Sequence, residues 1–153
     1  MDVYEKLREL GLTLPPPPEK GGLYTPCKKF GGNLYYISGC GPAINGSCVH
    51  GKLGDGVTLE QGQDSARDCM LNVLAVLQQE IGDLNKVRGA VKILTFVASA
   101  SDFTQQPQVA NGGSALLAEL YGTQGLPARS AIGVNVLPGD IPVETEALFE
   151  VEA

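Results

Sequence analysis

Between Val87 and Val97 the chain carries Val91, Ile93, Leu94, Phe96 and Val97, and in the second half of this run both parities are apolar. Successive residues of a strand point to opposite faces of its sheet. Such a strand therefore needs cover on both faces. Two amphipathic helical patterns flank it in sequence. The first opens at Thr58-Leu59-Glu60-Gln61. This is a capping box, in which the threonine caps the amide three residues on and the glutamine reaches back. It carries Ala66, Met70, Val73, Leu77 and Ile81 along one stripe and stops at Gly82. The second covers Val109 to Tyr121, with Leu116, Leu117 and Leu120 as its packing stripe, and closes at Gly122.

Three further strands complete the pattern. Leu34 to Ile37 forms one, ending at Ser38-Gly39, and Ile132, Val134 and Val136 form one face of another. The last strand alternates cleanly, with Val143, Thr145, Ala147, Phe149 and Val151 against Glu144, Glu146, Leu148, Glu150 and Glu152. The order of strand, helix, strand, helix, strand, strand predicts an α+β fold, a mixed sheet with two helices packed on one face. The other face stays bare in a chain of this length, which predicts self-association. At the N-terminus, Val3 to Leu10 has helical spacing and Pro15 to Pro18 makes a stiff polyproline connector. Residues 1–20 are thus expected to be an extension, and residues 21–153 a single domain.

Bulk properties narrow the function. A net charge of −6 with a pI near 4.7 argues against a phosphate-binding surface, so no nucleic-acid partner is expected. No apolar run reaches the roughly 18 residues a membrane span needs. The first six residues have neither a basic nor an apolar leader region, and the expectation is a cytoplasmic protein without a membrane partner. Cys27, Cys40, Cys48 and Cys69 form no C-x-x-C pair. Together with the lone His50 they match no standard zinc spacing, so no metal site is expected, and Cys69 falls on a core face. Phosphate-loop and dinucleotide fingerprints are missing, and a single histidine gives little basis for a catalytic triad.

The residues suited to chemistry lie late in the chain. Arg129 shares its parity with Ala131, Gly133 and Asn135, which leaves room for a ligand beside a guanidinium able to hold a carboxylate in two parallel hydrogen bonds. Glu144 can position or activate a water, although its neighbours on the same face have the look of solvated carboxylates. A tight reversal at Pro138-Gly139-Asp140 would set Glu144 opposite Asn135, on the order of 20 Å from Arg129 at ~3.3 Å per residue. Serving one site, the two must then meet across a subunit boundary, or the connection is not a tight hairpin; the subunit boundary is the expectation. Ser38-Gly39 offers a hydroxyl and a close backbone approach. Tyr24 is either a lid over a pocket or a packed loop aromatic. Asn111 is either the cap of the second helix, the expected role, or an amide presented to a ligand.

These pieces, in order, resemble the RidA family (also called YjgF, or L-PSP endoribonuclease-like) over about residues 21–152. The resemblance rests on Gly22-Leu23-Tyr24, Ser38-Gly39 with Pro42, Asn72, Asp83-Leu84, Phe96-Val97, Asp102-Phe103 and Asn111. Most specific are Pro127-Ala128-Arg129-Ser130, Leu137-Pro138 and Glu144-Thr145-Glu146-Ala147. It implies a chorismate-mutase-like fold in a homotrimer with pockets in the clefts between subunits, here in a longer-form member. It also implies that Arg129 binds a substrate carboxylate, that Glu144 handles water and that Tyr24, Ser38 and Gly39 shape the pocket. The implied reaction converts a 2-aminoacrylate-like enamine or a 2-imino acid to a 2-oxo acid and ammonia, with no metal or organic cofactor. The chain departs from the deaminating branch at Cys40, at Ser114-Ala115 and at Ala131. A second reading therefore stays open, a trimer that binds a small metabolite or a partner protein without catalysis.

Overall fold

The structure, a computed structural model, describes residues 2–153. In chain order its elements are α1 (Val3–Glu9), β1 (Cys27–Phe30), β2 (Leu34–Cys40), β3 (Lys52–Leu53), β4 (Gly56–Val57), α2 (Leu59–Ile81), β5 (Val87–Ala98), α3 (Gln106–Tyr121), β6 (Ala128–Val134) and β7 (Val143–Val151). Five strands form one mixed sheet in the order β1-β2-β7-β5-β6, in which only β5 and β6 run parallel. β3 and β4 make a separate two-residue pair.

Helices α2 and α3 cover one face of this sheet. α2 starts at the expected capping box: Thr58 Oγ1 accepts from the Gln61 amide at 3.1 Å, and Gln61 Oε1 accepts from the Thr58 amide at 3.0 Å. It ends at Gly82, whose φ of 83° suits glycine. α3 lies so close to α2 that a Cβ at Gly112 would sit 1.9 Å from the Gln63 carbonyl oxygen. The Asn111-Gly112-Gly113 segment is thus helix interior, not helix start. α3 begins at Gln106 instead of Val109, because Pro107 fits the first turn, where its missing N–H is not needed. Gln105 occupies the cap position without a side-chain bond, so the expected capping role of Asn111 is corrected.

Between helices and sheet lies the core. Phe149, Ile37, Ile93, Leu117, Leu77 and Met70 are all buried there. Every residue of the apolar parity of β7 is buried and every residue of the other parity is partly exposed, as the alternation predicts. Buried Thr95 and Thr145 satisfy each other across β5 and β7, hydroxyl to hydroxyl at 3.5 Å. α1 docks on this body: Val3 and Leu7 join the core, and the Leu84 amide donates to the Tyr4 hydroxyl at 2.9 Å.

Among the described residues, no helix covers the opposite sheet face. On β5, Ile93, Thr95 and Val97 lie under the helices, while Leu94 and Phe96 face the open side half-buried. Phe30, Tyr36 and Ile132 add exposed apolar surface to that side. The return at Pro138–Asp140 is a single 3-10 turn, with Gly139 and Asp140 both at positive φ. It does not make a hairpin. β5 lies between β6 and β7, because β7 pairs with β5 and β2 on its two edges.

Candidate functional site

The ladder registers fix where Arg129 and Glu144 sit. Arg129 pairs with Ile93 and so shares the helix-covered face, whereas Glu144 pairs with Phe96 and points to the open face. They stand three residues apart along β5 and one strand to either side of it. Their backbones are therefore roughly 14 Å apart, with side chains on opposite faces. The separation of ~20 Å expected from a tight hairpin is corrected. The conclusion that one small molecule cannot touch both within one chain stands for a stronger reason, the intervening sheet.

On the helix side, Arg129 lies against α3. Its Nη1 donates to Asn111 Oδ1 at 2.8 Å and to Ser114 Oγ at 3.1 Å. Asn111 and Ser114 are one helical turn apart and so share a face of α3. Asn111 thus orients the arginine instead of capping the helix. Both partners are neutral, so the guanidinium keeps its full charge for an anion. β6 is the outermost strand, which leaves this side chain at the rim of the sheet.

On the open side, Glu144 packs against the backbone of β2. A Cβ at position 39 would lie 2.9 Å from Glu144 Oε2, so any side chain there would push this carboxylate from its place. The strand does not end at Ser38-Gly39 as expected. It continues to Cys40 through a β-bulge, because the register steps from Ile37 opposite Ala147 to Cys40 opposite Thr145. The bulge turns Ser38 toward the loop before β1, where its Oγ donates to the Thr25 carbonyl at 2.7 Å. Burial, and secondarily the charge of Glu146, raises the pKa of Glu144 above the ordinary carboxylate value.

Tyr24, Ser38, Gly39 and Glu144 line one cavity of about 700 Å³, together with Phe30 and Tyr36. Tyr24 is half-exposed at its edge, where its hydroxyl accepts from the Gly21 amide at 3.1 Å and its carbonyl accepts from Lys20 Nζ at 3.2 Å. Four of the six residues singled out in the sequence thus share one cavity. Arg129 and Asn111 are joined to each other on the far face.

Glu146, Ser114 and Tyr36 were given no role at the site from the sequence. Glu146 lines the same cavity and accepts a hydrogen bond from the Tyr36 hydroxyl; that bond is the main reason the Tyr36 pKa is raised. Glu146 was open to discovery, because it shares the parity of Glu144. Ser114 was also accessible, being three residues from Asn111 on a helix. The pairing of Tyr36 with Glu146 left no local signal. Cys40 lies beside the cavity with its thiol pKa pushed up to about 12, by burial first and then by the charge of Glu144, so it is an inert thiol.

Fold and site together describe an α+β domain with a carboxylate-bearing cavity on an open sheet face and an arginine at the sheet rim. Residues 18–151 match the family model described as Endoribonuclease L-PSP. The chain is 39% identical over 150 residues to the protein TCP17 of Trypanosoma cruzi, covering 97% of this chain and 93% of that protein. The crystal structure of Atu1372 from Agrobacterium tumefaciens, described as of unknown function, is 37% identical. It superposes with a TM-score of 0.90 over 99% of this chain and 94% of that one. The YjgF gene product of Escherichia coli is 26% identical, with a TM-score of 0.62 over 90% of this chain and 94% of that one. The chain belongs to the RidA/YjgF family, the family of the Endoribonuclease L-PSP model.

Proposed function

We propose that this protein hydrolyses 2-imino acids and their enamine tautomers, including 2-aminoacrylate-like species, to 2-oxo acids and ammonia. The observation that carries the proposal is the placement of Glu144, a half-buried carboxylate of raised pKa set against Gly39 at one end of a cavity that also holds Tyr24 and Ser38. Such a group accepts a proton more readily at neutral pH than an ordinary carboxylate. Glu144 takes a proton from water as the oxygen bonds to the iminium carbon, and the C=N electron pair moves to nitrogen. Glu144 returns that proton to the nitrogen of the carbinolamine. The C–N bond then breaks, the hydroxyl proton leaves for solvent through the carboxylate, and a 2-oxo acid and ammonia remain. The chain supplies orientation and proton handling.

The substrate carboxylate is assigned to Arg129, which in one chain lies behind the sheet. The proposal therefore includes a homotrimer, in which the rim strand β6 of one copy brings its arginine to the cavity of the next. The bare apolar face formed by Leu94, Phe96 and Ile132 supports such an assembly. The ribonuclease activity in the family model's name gains no support from a cavity whose two carboxylates, Glu144 and Glu146, outweigh its one lysine, Lys28.

The test is a coupled assay, with imines made in situ by an amino-acid oxidase and 2-oxo acid and ammonia followed in wild type and in Arg129→Ala. The variant is expected to lose about 2–5 kcal/mol of transition-state binding, the scale for removing one partner of a buried charge pair. Equal rates in the two proteins defeat the assignment. The non-catalytic reading is favoured by one observation, the bonds that Arg129 donates to Asn111 and Ser114, which already satisfy part of the guanidinium without a ligand. It predicts thermal stabilisation by a carboxylate metabolite with no turnover.

A further inference from the structure

The cavity on the open face has two chemically different ends. At one end, Glu144 rests against Gly39 in the bulge of β2. At the other, Phe30 of β1 pairs with Leu34, five residues before Gly39. At ~3.3 Å per residue the slot between them is roughly 15 Å long. A three-carbon imino acid spans only about 5 Å from its carboxylate to its methyl carbon.

Three aromatic rings line the remaining length, with the charged side chains of Lys28 and Glu146 beside them. Tyr36 pairs with Lys28, two residues before Phe30, so Tyr36 and Phe30 are diagonal neighbours on the same face. The hydroxyl of Tyr36 is tied to Glu146, which holds the ring upright as a wall and gives it its own polar partner. Tyr24 closes the slot from the loop side. All three rings are more than two-fifths exposed: Tyr24 at 45%, Phe30 at 45% and Tyr36 at 41%. In the single chain they are uncovered, and each offers large apolar area for burial. Nothing about water activation at Glu144 requires them.

We propose that this aromatic end receives the substrate's side chain, and that the substrates are 2-imino acids with a large apolar or aromatic side chain, such as those formed by oxidation of phenylalanine or leucine. This inference rests on the hydrolytic reading above and narrows its substrate class. The reacting carbon lies at the Glu144 end, and the side chain extends along β2 toward Phe30. The chemistry also fixes the neighbouring reactions. The supply is an oxidation or elimination that leaves a C=N bond on such an amino acid, and the product is the matching aromatic or branched 2-oxo acid.

Two measurements test it together. In the coupled assay, kcat/KM for the phenylalanine-derived imine should exceed that for the alanine-derived imine at least tenfold, the discrimination open to an apolar pocket. Separately, phenylpyruvate should raise the melting temperature more than pyruvate at equal concentration. Phe30→Ala, on an edge strand and expected to melt near the wild type, should narrow the kinetic ratio and the difference between the two oxo acids. If no imine is turned over but phenylpyruvate still stabilises more than pyruvate, the hydrolytic reading fails and the ligand class is supported. If the alanine-derived imine reacts as well as the aromatic one and the two oxo acids stabilise equally, the inference is overturned while the hydrolytic reading stands. The same result follows if a second copy's side chains fill the aromatic end.

Discussion

The two faces of the sheet are made from the same strands and obey different rules. The helix-covered face is closed and buried. Its threonines pair with each other, and its fit is close enough that a single methyl at Gly112 would strike α2. The open face carries the carboxylates, the exposed rings and the bulge. β7 serves both at once, with residues of odd number in the core and residues of even number on the open face, Glu144 and Glu146 among them at the cavity. The period-two geometry of one strand thus separates stability from chemistry within nine residues. Arg129 fits neither description, since it is on the helix side but at the rim, and is tied only to neutral oxygens.

Adjacent residues of β7 offer the sharpest test of this division. Phe149→Ala empties a fully buried site and should cost about 3–5 kcal/mol in denaturant unfolding. Leu148→Ala, one residue away on the open face, should cost about 1 kcal/mol as long as that face is bare. A larger loss that grows with protein concentration would show that a second copy covers Leu148, and the contrast between the faces would then belong to the isolated chain alone. Next in size is Gly112→Ala, whose new methyl must push α3 from the Gln63 carbonyl; thermal melts should report a loss of about 1–3 kcal/mol.

Asn72→Ala follows at about 1–3 kcal/mol. Its amide donates to the Gly41 and Ala43 carbonyls at 2.9 Å each, holding the loop after β2 to α2. Wild-type stability in this variant would mean that solvent replaces both bonds.

The smallest effect lies on the open face and depends on pH. The pKa of Glu144 is raised in the folded state, so ionising this group works against folding. Its favourable contribution is fully present below the ordinary value of 4.5 and is lost as pH rises through the raised folded value. Glu144→Gln should therefore melt close to the wild type at pH 3.5 and slightly above it at pH 7. A variant less stable than wild type at pH 7 would place Glu144 among the supports of the fold and end its description as a desolvated functional carboxylate.

Much of the helix-covered face was legible in the sequence, because its signals are local. The Thr58 capping box, the stop at Gly82 and the alternation from Val143 to Val151 each lie within a few residues and were met by the structure. The errors came where distant segments override local preference. Asn111-Gly112-Gly113 has the composition of a helix start, yet the glycines are there because the backbone of α2 is close. Ser38-Gly39 looks like a strand end, yet pairing with β7 carries β2 past it as a bulge. Pro138-Gly139-Asp140 looks like a hairpin turn, yet β5 claims the place between the strands it joins. The candidate site was legible as a set of residues and not as a set of distances. No local pattern tells that Arg129 reaches Asn111, or that Tyr36 reaches Glu146 more than a hundred residues away.

The central position of β7 has a consequence for biogenesis. This strand follows every other strand of the sheet in sequence, yet it is the tie between β2 and β5. Until β7 emerges, the nascent polypeptide holds two unzipped halves with their hydrogen-bonding edges bare. The sheet can close only once these nine residues of strand are available, and truncation before them would leave both halves open to aggregation.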